Sequence, residues 1–286
     1  MISNLFRFYR TGYSRAHSGP TDESLAKFLR RDGYGTAFIE DHLLPMAAAI
    51  WSCSARTMLD YPVRSFLQFM ENHKLLNFID RPQWRTVKGG SREYVNRLID
   101  TLGGMDGGRV HLNTNIIGIR RDQGGVILSI EGQGNLWFDK VVMAAHADQS
   151  LAMITDATVL ERHILSSFQF QPNRAVLHSD PSLMPKRRAA WGSWNYIGSH
   201  EGEESLCLTY WMNKLQSIDN AYPLFETLNP HREPNSALVH GNYSYDHPMF
   251  DERAVKGQQR LPMIQGTGDL FFAGAWTGHG FHEDGL

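Results

Sequence analysis

Apolar residues recur along this chain at two different periods, and the change from one to the other organises it. From Thr21, "TDESLAKFLRRDGYG" places Leu25, Phe28 and Leu29 on one side of a 3.6-residue repeat, after a Thr or Asp cap and before Gly33. That pattern predicts a helix. "TAFIEDHLLPMAAAIWSCSARTMLDYPVRSFLQFMENHKLL" continues as helical pieces punctuated by Pro45 and Pro62, too apolar for one wet face to hold. Such a segment packs into a core or lines a greasy cavity, and packing is the commoner use. "WRTVKGG" reads as a short strand with a Gly-Gly turn, and a helix is entered at Ser91.

The period then shortens to two. "RVHLNTNIIGIRRDQGGVILSIEGQGNLWFDKVVMAAHADQSLAMI" alternates like consecutive strands, with a hairpin at Gly124-Gly125 and an all-apolar run, "KVVMAA", suited to a buried strand before a helix. "GGMDGG" at 103–108 is a loose turn. "NRAVLHSD", "AAWGSWNYI" and "SLCLTYWMN" read as strands of another sheet, carrying Trp191, Trp194, Tyr196, Tyr210 and Trp211. Aromatic density of this kind builds a core or the wall of an apolar ligand cavity. Near the end "DLFFAG" is a buried strand running into glycines. No internal repeat is visible.

Composition narrows the function classes. The 286 residues are 42% apolar, enough for a sizeable core in one or two domains. With 28 basic against 30 acidic residues, the net charge of -2 gives no reason to expect nucleic acid, and "PKRR" at 185–188 reads as a solvated loop. Cys53 and Cys207 are too few and too far apart for a disulfide framework or metal knuckle, so a cytoplasmic setting is the default. The longest apolar run, "LLPMAAAIW", is well short of the ~20 residues that cross a bilayer, which leaves only peripheral membrane contact open. "MISNLFRFYR" lacks the apolar stretch and cleavage site of a signal peptide.

The tail, "LFFAGAWTGHGFHEDGL", carries the most specific chemistry. A strand, a glycine turn and a helix start present backbone N–H groups to an anion or an electron-rich ring, because glycine lets a ligand approach the main chain closely. The alternative is a turn that merely connects elements. His240, His247, His279 and His282 gather nearby, but without the spacing of a zinc site, and no metal is expected.

This tail resembles the C-terminal flavin motif of the FAD-dependent amine oxidase superfamily, the group of monoamine oxidases, phytoene desaturases and protoporphyrinogen oxidases. "LLPMAAAIWS", "DRPQWRTVKGGSREYV", "FQPNRAVLH", "WNY", "LTYWMNKLQ", "PLFETLNP" and "GFHEDGL" are similar to a bacterial branch of NAD/FAD-binding amine-oxidase-like proteins, some of which accompany cyclopropane fatty acid synthases. The resemblance covers nearly the whole chain. It implies an α/β fold of mixed α+β character, in which part of a FAD/NAD(P)-binding fold is interleaved with a substrate domain of mixed sheet and helices. Residues 1–94 and 165–239 then belong to the substrate domain, and 95–164 and 240–286 to the FAD-binding part. The glycine fingerprint G-x-G-x-x-G that opens similar proteins has no counterpart in this sequence, so the chain is expected to be a fragment.

Carried over position by position, the resemblance puts Val110 on a strand clasping the adenine side of FAD, and Gly274 and Ala275 beside the ribityl and phosphate region. Glu283, Asp284 and Gly285 come to the flavin ring, where main-chain N–H groups and a helix dipole stabilise negative charge. Gly89, Gly90 and Glu93 approach its substrate face. Tyr243 supplies one wall of an aromatic cage and Phe281 or His282 the other, with His282 able to move a proton near neutral pH. Two departures bear on chemistry. The Lys that holds a water near flavin N5 in many amine oxidases is matched by Asn173, which puts ordinary amine oxidation in doubt. Asn242 precedes Tyr243 where monoamine oxidases have the Cys that attaches FAD, so the FAD is expected to be non-covalent.

The leading expectation is a FAD-dependent oxidoreductase taking a hydride from an apolar or amine-bearing small molecule, with a tilt toward a lipid-like one. The alternatives are a truncated chain unable to hold FAD, and a lipid-binding module without redox chemistry.

Overall fold

The computed structural model describes residues 1–80, 82–83, 85–197 and 207–285. In chain order the helices are α1 (Ile2–Ser18), α2 (Leu25–Arg31), α3 (Thr36–Phe38), α4 (Leu44–Trp51), α5 (Ala55–Leu59), α6 (Val63–Asn72) and α7 (Arg92–Gly104). Strands β1 (Ile116–Asp122), β2 (Gly125–Ile130), β3 (Gly134–Phe138) and β4 (Val141–Met143) follow, then α8 (Ala147–Met153) and α9 (Val159–Leu165). After β5 (Gln169–His178), β6 (Trp194–Tyr196) and β7 (Leu208–Trp211) come α10 (Met212–Gln216), β8 (Phe225–Leu228), β9 (Val239–Met249), α11 (Glu252–Arg260) and β10 (Leu270–Phe272). This is a mixed α/β chain that falls into two compact units, residues 1–90 with 170–252 and residues 91–169 with 253–286. No described helix is long and apolar enough to cross a membrane.

The first unit joins a helical layer to a sheet. Helix α1, which the sequence pattern did not flag, buries Phe8, Gly12 and Ala16 on one face, and the small Gly12 lets Leu67 of α6 approach closely. Helix α6 answers with Val63, Phe66, Leu67 and Met70 at helical spacing. Phe8, Phe28 and Phe38 meet at the centre, with ring centroids 5.4 to 6.4 Å from Phe8. The cap of α2 is Ser24 rather than Thr21 or Asp22, and Gly33 ends the turn at φ +64°.

Pro45 does not break its helix. A π-helical turn over Ile39–Leu43 widens the ladder just before it, so that Leu44 bonds Ile39 and the missing proline N–H is absorbed. Pro62 instead caps α6. The sheet has the order β6-β7-β8-β5-β9, with β6, β7, β8 and β5 paired antiparallel. Of the strand predicted from "SLCLTYWMN", Ser205 and Leu206 lie outside the described residues. β8 and β9 were not predicted from the pattern, and β9 belongs with this unit rather than with the segment 240–286.

The second unit contains an antiparallel meander, β1-β2-β3, turned at Gly124 with φ +72°, and a two-stranded parallel sheet, β4 with β10. "KVVMAA" forms its strand, but only Met143 is buried and Val142 is 63% exposed. Helix α7 begins after Ser91 as predicted and buries no residue. No strand forms over 109–115 or 85–87. A strand exists only as one side of a ladder, and these segments have no ladder partner among the described residues. Trp84, where the second of them was to begin, lies outside the described residues.

Candidate flavin-facing turn

The parallel pair sets the site. Leu270 lies beside Val141 and Phe272 beside Met143, so both strands finish at the same level. Their carboxyl ends release Ala144–Ala145 and Ala273–Gly274 side by side, the position where open α/β sheets hold their ligands. Four side chains fix the turn that follows. The Trp276 indole N–H donates to Ala145 O at 3.1 Å, tying the two loops together, and its ring packs on Phe168 at 4.5 Å. Gln258 Nε2 donates to Trp276 O at 3.0 Å and Gly278 O at 2.6 Å. Thr277 Oγ1 donates to Gly274 O at 2.8 Å, and Asp284 accepts the Phe281 N–H at 2.9 Å.

Gly274 has φ +141°, and a Cβ there would stand 2.8 Å from the Trp276 indole nitrogen, so no side chain fits without moving that ring. A Cβ at Gly285 would stand 3.5 Å from Ala275 N, which puts the two ends of the turn backbone against backbone. The N–H groups of Gly274, Ala275 and Trp276 have no acceptor among the described residues. A bend with unspent main-chain donors and no side chain in the way fits a flat, electron-rich ring or an oxygen anion.

The predicted residues divide between the two units. Gly274, Ala275 and Gly285 stand together in this bend. Asp284 is there too, but its carboxylate closes its own turn instead of facing outward. The side chain of Glu283 lies outside the described residues, as does Leu286. The helix start expected from "HEDGL" is a 3₁₀ turn over His282–Gly285. Val110 is 44% exposed on an irregular segment instead of the expected strand. Glu93 is exposed in the first turn of α7, and Gly89 and Gly90 make a turn with φ +88° and +87°.

His282 has a partner the sequence did not suggest, since Tyr94 Oη lies 3.1 Å from its Nδ1. Tyr243, in the first unit, stacks on Tyr245 with centroids 6.3 Å apart, and its ring covers Gly241, where a Cβ would stand 2.6 Å from the hydroxyl. Asn173 is fully buried. Its Nδ2 donates to Gln171 O at 3.1 Å and lies 3.2 Å from His247 Nδ1, while its Oδ1 accepts from Asn229 at 2.7 Å. Among the described residues no group of three potential ligands forms a metal site.

A family model described as flavin containing amine oxidoreductase matches residues 13–176 of the chain. No curated protein sequence matches it. Among solved structures, it is similar to the CLA-producing fatty acid isomerase from P. acnes, with a TM-score of 0.64 and 15% identity over 99% of this chain and 70% of that one. It is similar to cyclohexylamine oxidase from Brevibacterium oxydans IH-35A at a TM-score of 0.63 and 13% identity, over 99% and 70%. Putrescine oxidase bound to putrescine aligns at 0.58 and 11%, over 99% and 72%. At these identities the likeness is one of fold.

Proposed function

The chain belongs to the flavin containing amine oxidoreductase family, and from that premise we propose that it serves hydride removal from an apolar or amine-bearing small molecule. The cofactor of this oxidoreductase is FAD. When bound, FAD supplies the acceptor for the hydride equivalent. The observation that carries the proposal is the bend at Gly274–Ala275, with its unspent N–H donors and the Gly285 backbone against it. Those donors would hold the flavin side of the cofactor and favour negative charge on the ring. Val110 would serve the adenine side, and Gly89, Gly90 and Glu93 the substrate side.

Tyr243 would form an aromatic wall for the substrate. His282, oriented through Nδ1 by Tyr94, would hold or pass a proton at Nε2. Both cysteines are buried, which supports FAD held without a thioether. The Asn173 amide is already committed to Gln171, His247 and Asn229, so it is poorly suited to the water-holding role of a lysine. That favours an apolar, lipid-like substrate over a simple amine, and the likeness to a fatty acid isomerase is compatible with it.

A second reading is that this chain by itself does not retain FAD. It is favoured by a sequence without the G-x-G-x-x-G fingerprint and by an α7 that buries nothing. One experiment separates the readings. The purified protein is examined for flavin absorption, titrated with FAD, and mixed anaerobically with simple amines or with unsaturated and branched lipids. Flavin bleaching by the lipids is expected. Prompt bleaching by simple amines overturns the lipid preference, colourless protein that ignores FAD supports the second reading, and lipid binding without bleaching makes the chain a binding module.

A further inference from the structure

The basic run 185–188 is more than a solvated loop. Lys186, Arg187 and Arg188 are exposed, but the Arg188 guanidinium lies 4.8 Å from the Trp191 ring and 6.0 Å from the Trp211 ring. Beneath it is a cavity of about 100 Å³ walled by Trp191, Trp211, Phe225 and Pro223, with Asn213 also lining it. Trp191 meets Trp211 edge to face at 5.4 Å and Phe225 at 5.7 Å, which gives two nearly perpendicular aromatic walls.

These walls are fixed in advance. The Trp191 indole N–H donates to Pro185 O at 2.8 Å, and Ser179 Oγ donates to Pro223 O at 2.7 Å. Asn213 spends its amide on Asp219 O and Tyr222 O and its carbonyl on the Leu224 N–H, each at 2.8 to 2.9 Å. Arg188 is different, because it has no carboxylate or other acceptor among the described residues. A guanidinium placed over the Trp191 ring keeps its donors free, and the flanking Lys186 and Arg187 add attraction for an anion.

We propose that this cavity binds a small carboxylic acid, with its carboxylate on Arg188 and a short aliphatic or aromatic body against the walls formed by Trp191, Trp211 and Phe225. A carboxylate offers two coplanar oxygens to the planar guanidinium, and the apolar walls reward an apolar body. Inorganic phosphate has no such body, so the aromatic walls add nothing to its binding. The cavity holds room for several water-sized groups, which limits the ligand to a short acid and excludes a whole long-chain one. It lies wholly in the first unit and uses none of the residues of the flavin-facing turn. The proposal therefore stands whether or not FAD is bound.

The test is calorimetric and tryptophan-fluorescence titration of the full chain with benzoate, butyrate, benzamide and inorganic phosphate, repeated with Arg188→Gln. Because Arg188 is exposed, the variant is expected to fold, as its far-UV circular dichroism will record. Saturable binding of benzoate or butyrate, weakened about tenfold or more in Arg188→Gln and in the uncharged benzamide, is the expected result. Four outcomes each overturn it: neither acid binds, benzamide binds as well as benzoate, the variant binds as the wild type does, or phosphate binds as tightly as the acids.

Discussion

A single histidine shows how much of a residue's chemistry is set by distant partners. His178 ends β5 fully buried, with the Asp180 N–H donating to its Nδ1 at 3.1 Å and Thr227 Oγ1 2.8 Å from its Nε2. An Nδ1 that accepts cannot also carry a proton, so the ring is held neutral with its hydrogen on Nε2. Burial pushes its pKa below the ordinary value of 6.5, against the opposing pull of Asp180, whereas the unfolded chain keeps the ordinary value. The folded state thus binds fewer protons, and the stability contributed is full above about pH 6.5 and lost as pH falls below it.

The denaturant midpoint of the wild type is expected to fall from about pH 7 to pH 5 more steeply than that of His178→Gln. Parallel curves would remove His178 as the cause. Burial raises Glu226, which acts in the opposite direction, but it is common to both proteins and cancels in the difference. Asp180 is held below its usual range; burial alone would raise it, but hydrogen bonds from the Asn235 and Ser182 N–H groups outweigh that, so it titrates below this window. In the sequence, His178 was one letter at a strand end. Thr227, which helps set its state, is 49 residues away.

At the scale of elements, local signals worked where hydrogen bonds are local. Helix α9 opens with a capping box, in which the Thr158 side chain accepts the Glu161 N–H and Glu161 accepts the Thr158 N–H. Glu161 is also fully buried and paired with Arg121, whose other arm holds Asp156 at 3.1 Å. Two effects are stacked on this turn and have different sizes. Thr158→Ala is expected to cost about 1 kcal/mol, the value of a cap. Glu161→Ala is expected to cost more, about 2–3 kcal/mol, because it removes a charge-assisted hydrogen bond as well as the cap and leaves the partly buried Arg121 with Asp156 alone. Urea unfolding of both variants checks the order, and equal losses would reduce Glu161 to its capping role.

Helix α7 shows the limit of such signals. Tyr94, Val95, Leu98, Ile99 and Leu102 form the apolar stripe that predicts a helix, and the helix forms, yet the stripe remains exposed among the described residues. A stripe specifies that one face seeks cover. It does not say what covers it.

Over the whole molecule, the chain passes between its two units at 90/91, 169/170 and 252/253, so neither unit is a continuous segment. β4 at 141–143 pairs with β10 at 270–272, and the Trp276 indole reaches back to Ala145. A polypeptide of residues 91–169 alone should therefore keep the local β1-β2-β3 meander but leave Val141–Met143 unpaired. Adding a peptide of residues 253–286 should restore amide protection there, measured by hydrogen exchange. Protection of Val141–Met143 without the peptide would show that β4 needs no parallel partner.

What the sequence determined by itself were the features whose causes lie within a few residues: the α2 helix, the Gly124 hairpin, the Ser91 helix start, and the strand-into-glycine pattern of "DLFFAG". The wording of its motifs also carried the family, because a glycine turn shaped for close backbone approach constrains residue types locally. Tertiary structure alone decided the remainder. It placed Met143 beside Phe272, turned the Asp284 carboxylate inward, gave His282 a tyrosine, and set Arg188 over two indoles. It also left Val110 without a strand. Each of these depends on partners far apart in the chain, and neither period nor propensity encodes which segments meet, since burial and hydrogen bonding are satisfied by whatever surface arrives.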